Sequence, residues 1–441
     1  MKYLLFLVCF NVSLLLCAQP TEIISALRSI NREVVNAPCT NGSGRLISSR
    51  AFNLFLANKI GYYLSSENDF SFYKNNVLVN TADGSVAVIH NTFEAKGLDE
   101  PVRSVMFFGV KANVSDAFVK NIVNKSAGNN LAIVIKQTWL GKSKTYLNCT
   151  GGSSALSPKN YMDAQRAMIM HILENEILKR SNEFESALNR VDTVTDTPGQ
   201  PNDAIKASAG KAFYDNLRDE AFYRFAEMQA ETLEHSKAYN VITSSWTSVA
   251  AYIPITFEKF AVAQSLTAAI EQKHPYNLGI TVSHTRFWER RNLGKIFLTL
   301  SGDANWSNSK KGYGLTRVSL NDYKSLGGTD TVHLAQLKEE DLYLGTYKNY
   351  LTPSIGVRLV YLPPDYHFGL SFHLVQNFGK YQALNATIGI PIVLINKKAE
   401  PSFNMEFQVN YFDISTRVKT FGNNRKTIGL SVGIPFSKII Y

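Results

Sequence analysis

Two of the eight histidines stand beside groups with which an imidazole does chemistry. His171 and Glu174 are spaced i, i+3, which puts both on one face of a helix where they could hold a metal ion. A dinuclear carboxylate centre would need several such contributions from other helices. Ser283 adjoins His284, a nucleophile next to a base. Successive strand residues point to opposite faces, so that hydroxyl and that imidazole cannot meet. No GxSxG, HExxH, phosphate-binding or dinucleotide-binding pattern occurs in a supporting context. The expectation is a chain that is not an enzyme and takes no metal or cofactor.

The other polar residues with a regular placement lie on alternating runs. Lys136, Lys295, Arg358 and His373, together with Asn404, Glu406, Gln408 and Asn410, occupy the polar side of such runs. On the inner wall of a barrel they could line a water-filled path and set weak selectivity by charge. They could equally pair across it and shut it. Cys39 and Cys149, in the echoing contexts PCTNGSG and NCTGGSS, suggest one disulfide if the chain is exported.

These side chains need strands to hold them, and the last ninety residues supply the clearest ones. Between Ser402 and Phe412 the apolar residues Phe403, Met405, Phe407, Val409 and Tyr411 alternate with Asn404, Glu406, Gln408 and Asn410. A period of two is a β-strand with one apolar and one polar face. The pattern returns from Ile355, from Phe368, from Leu384 and from Ile428. A soluble sandwich or barrel turns the apolar face inward, whereas a membrane barrel turns it toward lipid. In the second case Phe368, Leu370, Phe403, Phe407, Leu430 and Val432 face hydrocarbon.

The start of the chain favours that case. Residues 1–18, one Lys followed by an apolar run and a small residue, read as a cleaved secretory signal. A lipoprotein signal competes, since Leu15-Leu16-Cys17 is present, but Leu16 is not the small residue that position takes. No later apolar run is long enough to cross a bilayer as a helix, which leaves a closed barrel as the spanning structure. The four Trp, at 139, 246, 288 and 306, lie at or near strand ends, as interfacial girdles do. The net charge of +10 falls to +9 with Lys2 removed and is spread without a Lys/Arg block. That argues against nucleic acid as a partner.

Along the chain, residues 19–49 form an N-terminal helical segment, with Ile23, Leu27, Ile30 and Val34 at helical spacing, placed to lie under the barrel or to plug it. Residues 50–156 carry the first barrel strands, beginning with weak runs at 51–63 and 70–80. The period changes over 157–238, where Ser157-Pro158 reads as an N-cap and first turn, and two amphipathic stretches form a helical hairpin insert. Residues 239–441 hold the remaining strands and a long polar loop, 304–351. If the two early runs supply one strand, the total is twelve and the hairpin lies in the periplasm with Cys39 and Cys149. If Ile253-Pro254-Ile255 marks the same strand end as Ile390-Pro391-Ile392 and Ile434-Pro435-Phe436, an extra strand near 257–268 and both early runs as separate strands give fourteen and put the hairpin outside. Both totals are even, and twelve fits better.

With its signal, its period-two strands, its loop asymmetry and its last strand KTIGLSVGIPFSKIIY, the chain resembles Gram-negative outer-membrane β-barrel proteins of the porin-like type. The resemblance is architectural and excludes the hairpin. It implies an all-β transmembrane antiparallel barrel of twelve to fourteen strands with an inserted α-helical hairpin. It also implies an outer-membrane location, contact with outer-membrane lipid, and recognition by the barrel-insertion machinery. Tyr441 supplies the terminal aromatic such machinery reads, although Leu430, Val432, Ile434 and Phe436 alternate out of phase with it. Two functions fit: a channel for small polar solutes, or an anchoring barrel whose residues 157–238 dock a periplasmic or surface protein such as a secretion component.

Overall fold

The computed structural model describes residues 20–34, 46–61, 73–81, 85–92, 99, 102–113, 130–141, 143–147, 158–194, 202–236, 238–255, 260–265, 267–274, 278–309, 315–325, 334–364, 366–380, 382–395, 401–415 and 426–439. The signal stretch, Cys39, Cys149, Ser157 and Tyr441 lie outside them. Its helices are α1 (20–34), α2 (Ser49–Gly61), α3 (Pro158–Val194) and α4 (Asn202–Ser236). Strands β1 (Tyr73–Asn80), β2 (Ser85–Thr92), β3 (Ser104–Asn113), β4 (Asn130–Leu140) and β5 (Lys144–Leu147) precede the α3–α4 pair. After it come β6 (Tyr239–Pro254), β7 (Phe260–Ala263), β8 (Glu271–Lys273), β9 (Gly279–Arg290), β10 (Gly294–Asn308), β11 (Thr316–Ser325) and β12 (Leu334–Leu344). The series ends with β13 (Asn349–Leu362), β14 (Leu370–Asn377), β15 (Leu384–Ile395), β16 (Pro401–Tyr411) and β17 (Lys426–Ile439).

Twelve strands, β1–β4, β6, β9, β10 and β13–β17, form an antiparallel wall in which each pairs with its neighbours in sequence. The wall closes where β1 meets β17, with Val77 opposite Ile434 and Val79 opposite Val432. It also continues unbroken across the helical insert, with Ile133 opposite Ile253 and Trp139 opposite Thr247. Closure leaves no unpaired wall edge. Alternation then sorts the two surfaces. Leu370 is 61% exposed, Phe407 49% and Ile428 83%, all on the outside, while Asn404, Glu406 and Ser431 are buried inside. This is the reverse of a water-soluble barrel.

Trp139, Trp288 and Trp306 stand near strand ends on the outer surface, but Trp246 does not belong to a girdle: it points inward and is buried. Ile253-Pro254-Ile255 is at the opposite end of the barrel from Pro391 and Pro435. Pro254 closes β6, whereas Pro391 and Pro435 stand within β15 and β17, so the motif marks no common strand end. Residues 260–263, within the region of the possible fourteenth strand, do form β7, but not in the wall. β7 and β8 join β11 and β12 in a separate sheet, with β7 parallel to β12. The stretch 304–351 is therefore not one long loop: β10 runs on to Asn308, and β11 and β12 fill most of the rest. Phe260 seats this sheet, with Tyr343 and Tyr347 edge-on to its ring at 5.4 and 5.6 Å.

The run at 51–63, expected as a strand, is helix α2. It is apolar on all sides without alternation, and among Ala, Leu, Phe and Asn its only β-branched residue is Ile60. A short apolar run surrounded by protein satisfies its backbone internally as a helix, whereas a strand would need wall partners.

The barrel has a helical end, where joints 93–103, 141–238, 291–293, 363–369 and 396–400 lie, and a loop end carrying the small sheet. At the helical end α1 packs with α3 and α4 through Leu27, Leu173, Ile177, Leu217, Phe222 and Phe225. Arg28 donates to both carboxylate oxygens of Glu174 at 2.6 and 2.8 Å. That hydrogen bond holds the Glu174 pKa below its ordinary 4.5. A depressed carboxylate stabilises the docked state above its unfolded pKa and loses that contribution as pH falls through the folded one. Hydrogen exchange of α1 amides should accelerate relative to α4 as pH drops below about 4.5, and Glu174→Gln should flatten that difference.

Candidate passage and its stopper

The inside of the barrel changes character along its axis. In the loop-end half, Thr281 and Ser354 donate to the two oxygens of Asp303 at 2.6 and 3.0 Å. Thr285 and Thr299 share a hydrogen bond of 2.9 Å, and Thr387 donates to Asn410 at 2.7 Å. At mid-height Arg358 lies 3.4 Å from Glu406, whose other oxygen accepts from Ser371. Gly389 makes room for this carboxylate: a Cβ there would collide with Glu406 Oε1 and come within 2.5 Å of Ser371 Oγ. Asp303, Thr299, Ser301, His373 and Gln408 point inward yet stay partly exposed, so water enters this half.

The helical-end half is filled, mainly by apolar side chains. Val105, Phe107, Ile242, Phe287, Phe297, Val360, Leu362 and Val393 turn inward and pack around α2. Phe287 and Phe297 stand 4.8 Å apart, and Phe55 of α2 lies edge-on to Tyr239 at 5.5 Å. Leu54, Phe55, Leu56 and Ile60 leave α2 with no solvent face. The helix lies across the barrel mouth, backed by α4, and stops it.

Polar ties hold the stopper at both ends. Ser48 N–H donates to Gln229 of α4 at 2.8 Å, and Arg50 N–H donates to Asp99 of the 93–103 joint at 2.9 Å. Arg166 of α3 donates to the Leu46 carbonyl and to Asp163, and its own burial lowers its pKa to about 10. At the other end Asn404 donates to the Gly61 carbonyl at 2.7 Å, satisfying an acceptor that helix termini leave open. Lys59 is 3% exposed, with Glu234 of α4 at 2.6 Å, and Glu289 of β9 and the Tyr239 hydroxyl both at 3.1 Å. Burial lowers the ammonium's pKa, but the charges of Glu289 and Glu234 outweigh it and the net shift is upward, so Lys59 is charged. The fit still has loose ends: Asn53 Nδ2, Asn58 Oδ1, Asn404 Oδ1 and Glu289 Oε2 are buried without a partner in the protein among the described residues.

All eight residues expected on the inner wall do turn inward, but they do different things. Arg358, His373 and Glu406 share the mid-height cluster, Asn410 stands nearer the loop end, and Gln408 and Lys295 are half-buried. Asn404 binds the stopper, and Lys136 is buried with its ammonium 4.3 Å from the Phe107 ring, out of reach of water. Of the residues expected to face lipid, Phe368, Leu370 and Phe407 are exposed on the outer surface, while Phe403, Leu430 and Val432 are half-buried there. Ser283 and His284 do face opposite sides, His284 outward on Thr247. Glu174 is taken by Arg28, and His171 contacts Asn175. Lys59, Glu234 and Glu289 were not anticipated, although a single Lys inside the run AFNLFLANKIG is a signal, since lysine is rarely buried unless paired.

No family model and no curated protein matches this chain. Solved structures do, among them the toluene transporter TodX of P. putida, at 6% identity and a TM-score of 0.20, covering 82% of this chain and 89% of that one. A likeness so loose has no bearing on activity. Fold and interior by themselves define the class: a closed, twelve-stranded antiparallel β-barrel with an internal helical stopper. Removing Lys59 would strand two carboxylates. Lys59→Met is expected to destabilise the protein by about 3 kcal/mol, the low end for breaking a buried pair because Glu234 reaches solvent. The urea midpoint of the refolded barrel reads this.

Proposed function

We propose that the protein is an outer-membrane channel for small polar solutes, which the present arrangement holds shut. The observation that carries this reading is the wet, polar loop-end half of the lumen ending on one apolar helix. A barrel serving only as an anchor has no use for inward Asp303 and Arg358 in reach of water, or for a buried Glu406 beside them, since buried or enclosed charges cost desolvation. The outward apolar band supports contact with outer-membrane lipid, and assembly by the barrel-insertion machinery follows from that placement. No described helix is long and apolar enough to cross a membrane, which says nothing of strands.

A second role, docking of a periplasmic or surface protein, is favoured by one observation. On α3 the exposed face near the barrel carries Tyr161, Met168 and Ile172, which no described element covers. The helical hairpin of 157–238 would then be the platform.

Conductance in planar bilayers separates the two. Full-length protein is expected to be mostly closed, and a variant lacking residues 46–61 to give stable ohmic steps. A variant that inserts but stays silent would exclude the channel and leave the anchor. Ile388→Arg, level with the mid-height Arg358–Glu406 cluster, places a charge in the outward band and is expected to cost about 2–4 kcal/mol at mid-bilayer. Folding yield in vesicles measures it, and an unchanged yield would argue against a lipid-facing wall.

A further inference from the structure

We infer that α2 is a gate leaf carried by the bundle of α1, α3 and α4, turning about the Lys59 end, so that displacing the bundle opens the barrel. This rests on the channel reading above and adds what moves the stopper.

The ties of α2 divide unequally between its ends. At the Lys59 end one ammonium joins the stopper, α4 and the wall through Glu234, Glu289 and Tyr239. That knot lies beside the joint between α4 and β6, which is only residues 237 and 238. A joint so short holds the end of α4 against the wall, and Lys59 stays near Glu234 whatever the rest of the bundle does. A buried ammonium stripped of its carboxylates is costly, so a pivot here is cheap where a rupture is not.

The first turn is attached differently. There α2 is bound to the bundle by Ser48 N–H on Gln229 and by the Leu46 carbonyl on Arg166. Toward the barrel, the Arg50 N–H donates to Asp99. Gln229 stands about two turns of α4 back from the 237–238 joint, whereas Arg166 is about one turn of α3 beyond Met162, whose sulfur Ser236 touches at 3.5 Å. A swing of the bundle about that joint therefore moves Gln229, and through Ser48 the first turn of α2 goes with it. Seated, Asn53 Nδ2 and Asn404 Oδ1 lack partners in the protein. Hydration of such atoms offsets part of the cost of unseating the helix.

The prediction concerns sign. In bilayer recordings of the full chain, Asp99→Ala removes the tie that holds the first turn to the barrel and should raise open probability by about fivefold or more. Gln229→Met keeps the bulk of the side chain but removes the acceptor that couples α2 to the bundle, and should lower it. Arg166→Met breaks an independent tie to the bundle and should act in the same direction as Gln229→Met. If Gln229→Met or Arg166→Met raises opening as Asp99→Ala does, α2 leaves alone and the inference is overturned. No change with Asp99→Ala, or with both bundle variants, overturns it as well. Heat-modifiable migration on gels confirms that each variant is a folded barrel. A silent barrel lacking residues 46–61 would instead mean that the channel reading has failed.

Discussion

The constraint from which the rest follows is that the wall's backbone hydrogen bonds must close into a ring. Twelve antiparallel strands meet that demand at the pairing of β1 with β17, and from then on each side chain is committed to one surface. A slip of one residue would exchange the two faces, sending Phe407 and Leu370 inward and Glu406 and Asn404 outward. The strict alternation of β13–β17 forbids that slip. An apolar exterior and a polar interior are one fact seen from two sides.

A second consequence concerns space. The lumen of a barrel grows with strand number, and beyond about eight strands inward side chains no longer fill it. At the loop end the gap admits water, and short hydroxyl and amide side chains tie neighbouring strands together. At the helical end larger residues narrow it, and a helix takes up what remains. That helix must be apolar all round, because it meets protein on every side. Its one fully buried cation, Lys59, is tolerated only because the wall and the helical bundle each contribute a carboxylate.

Much of the wall was legible from period-two patterning, and the reason is energetic. Where one face meets water and the other does not, the sequence must alternate, as at Phe403 to Tyr411. The helical insert was legible for the matching reason, with α3 and α4 burying one stripe against each other and α1. What escaped was α2. Its residues have no polar side to alternate or spiral, and a run apolar on all faces reads the same as strand or helix until its neighbours are known. The small sheet at the loop end was missed because β11 and β12 carry dense polar residues, such as Asn321-Asp322 and Lys338-Glu339-Glu340-Asp341, that resemble a loop. Of the polar interior, the strand positions could be read, but not that Lys136 would be covered or that Asn404 would bind a helix 343 residues away in sequence.

The measurement closest to the central claim is a spin-label scan along Phe403 to Tyr411 in reconstituted bilayers, recording collision with oxygen, which concentrates in hydrocarbon, and with a water-soluble nickel chelate. Positions 403, 405, 407, 409 and 411 are predicted to collide with oxygen and not with the chelate, with 404, 406, 408 and 410 shielded from oxygen. Equal access of the chelate to both sets, or the opposite phase, would contradict a wall whose apolar face lies in lipid.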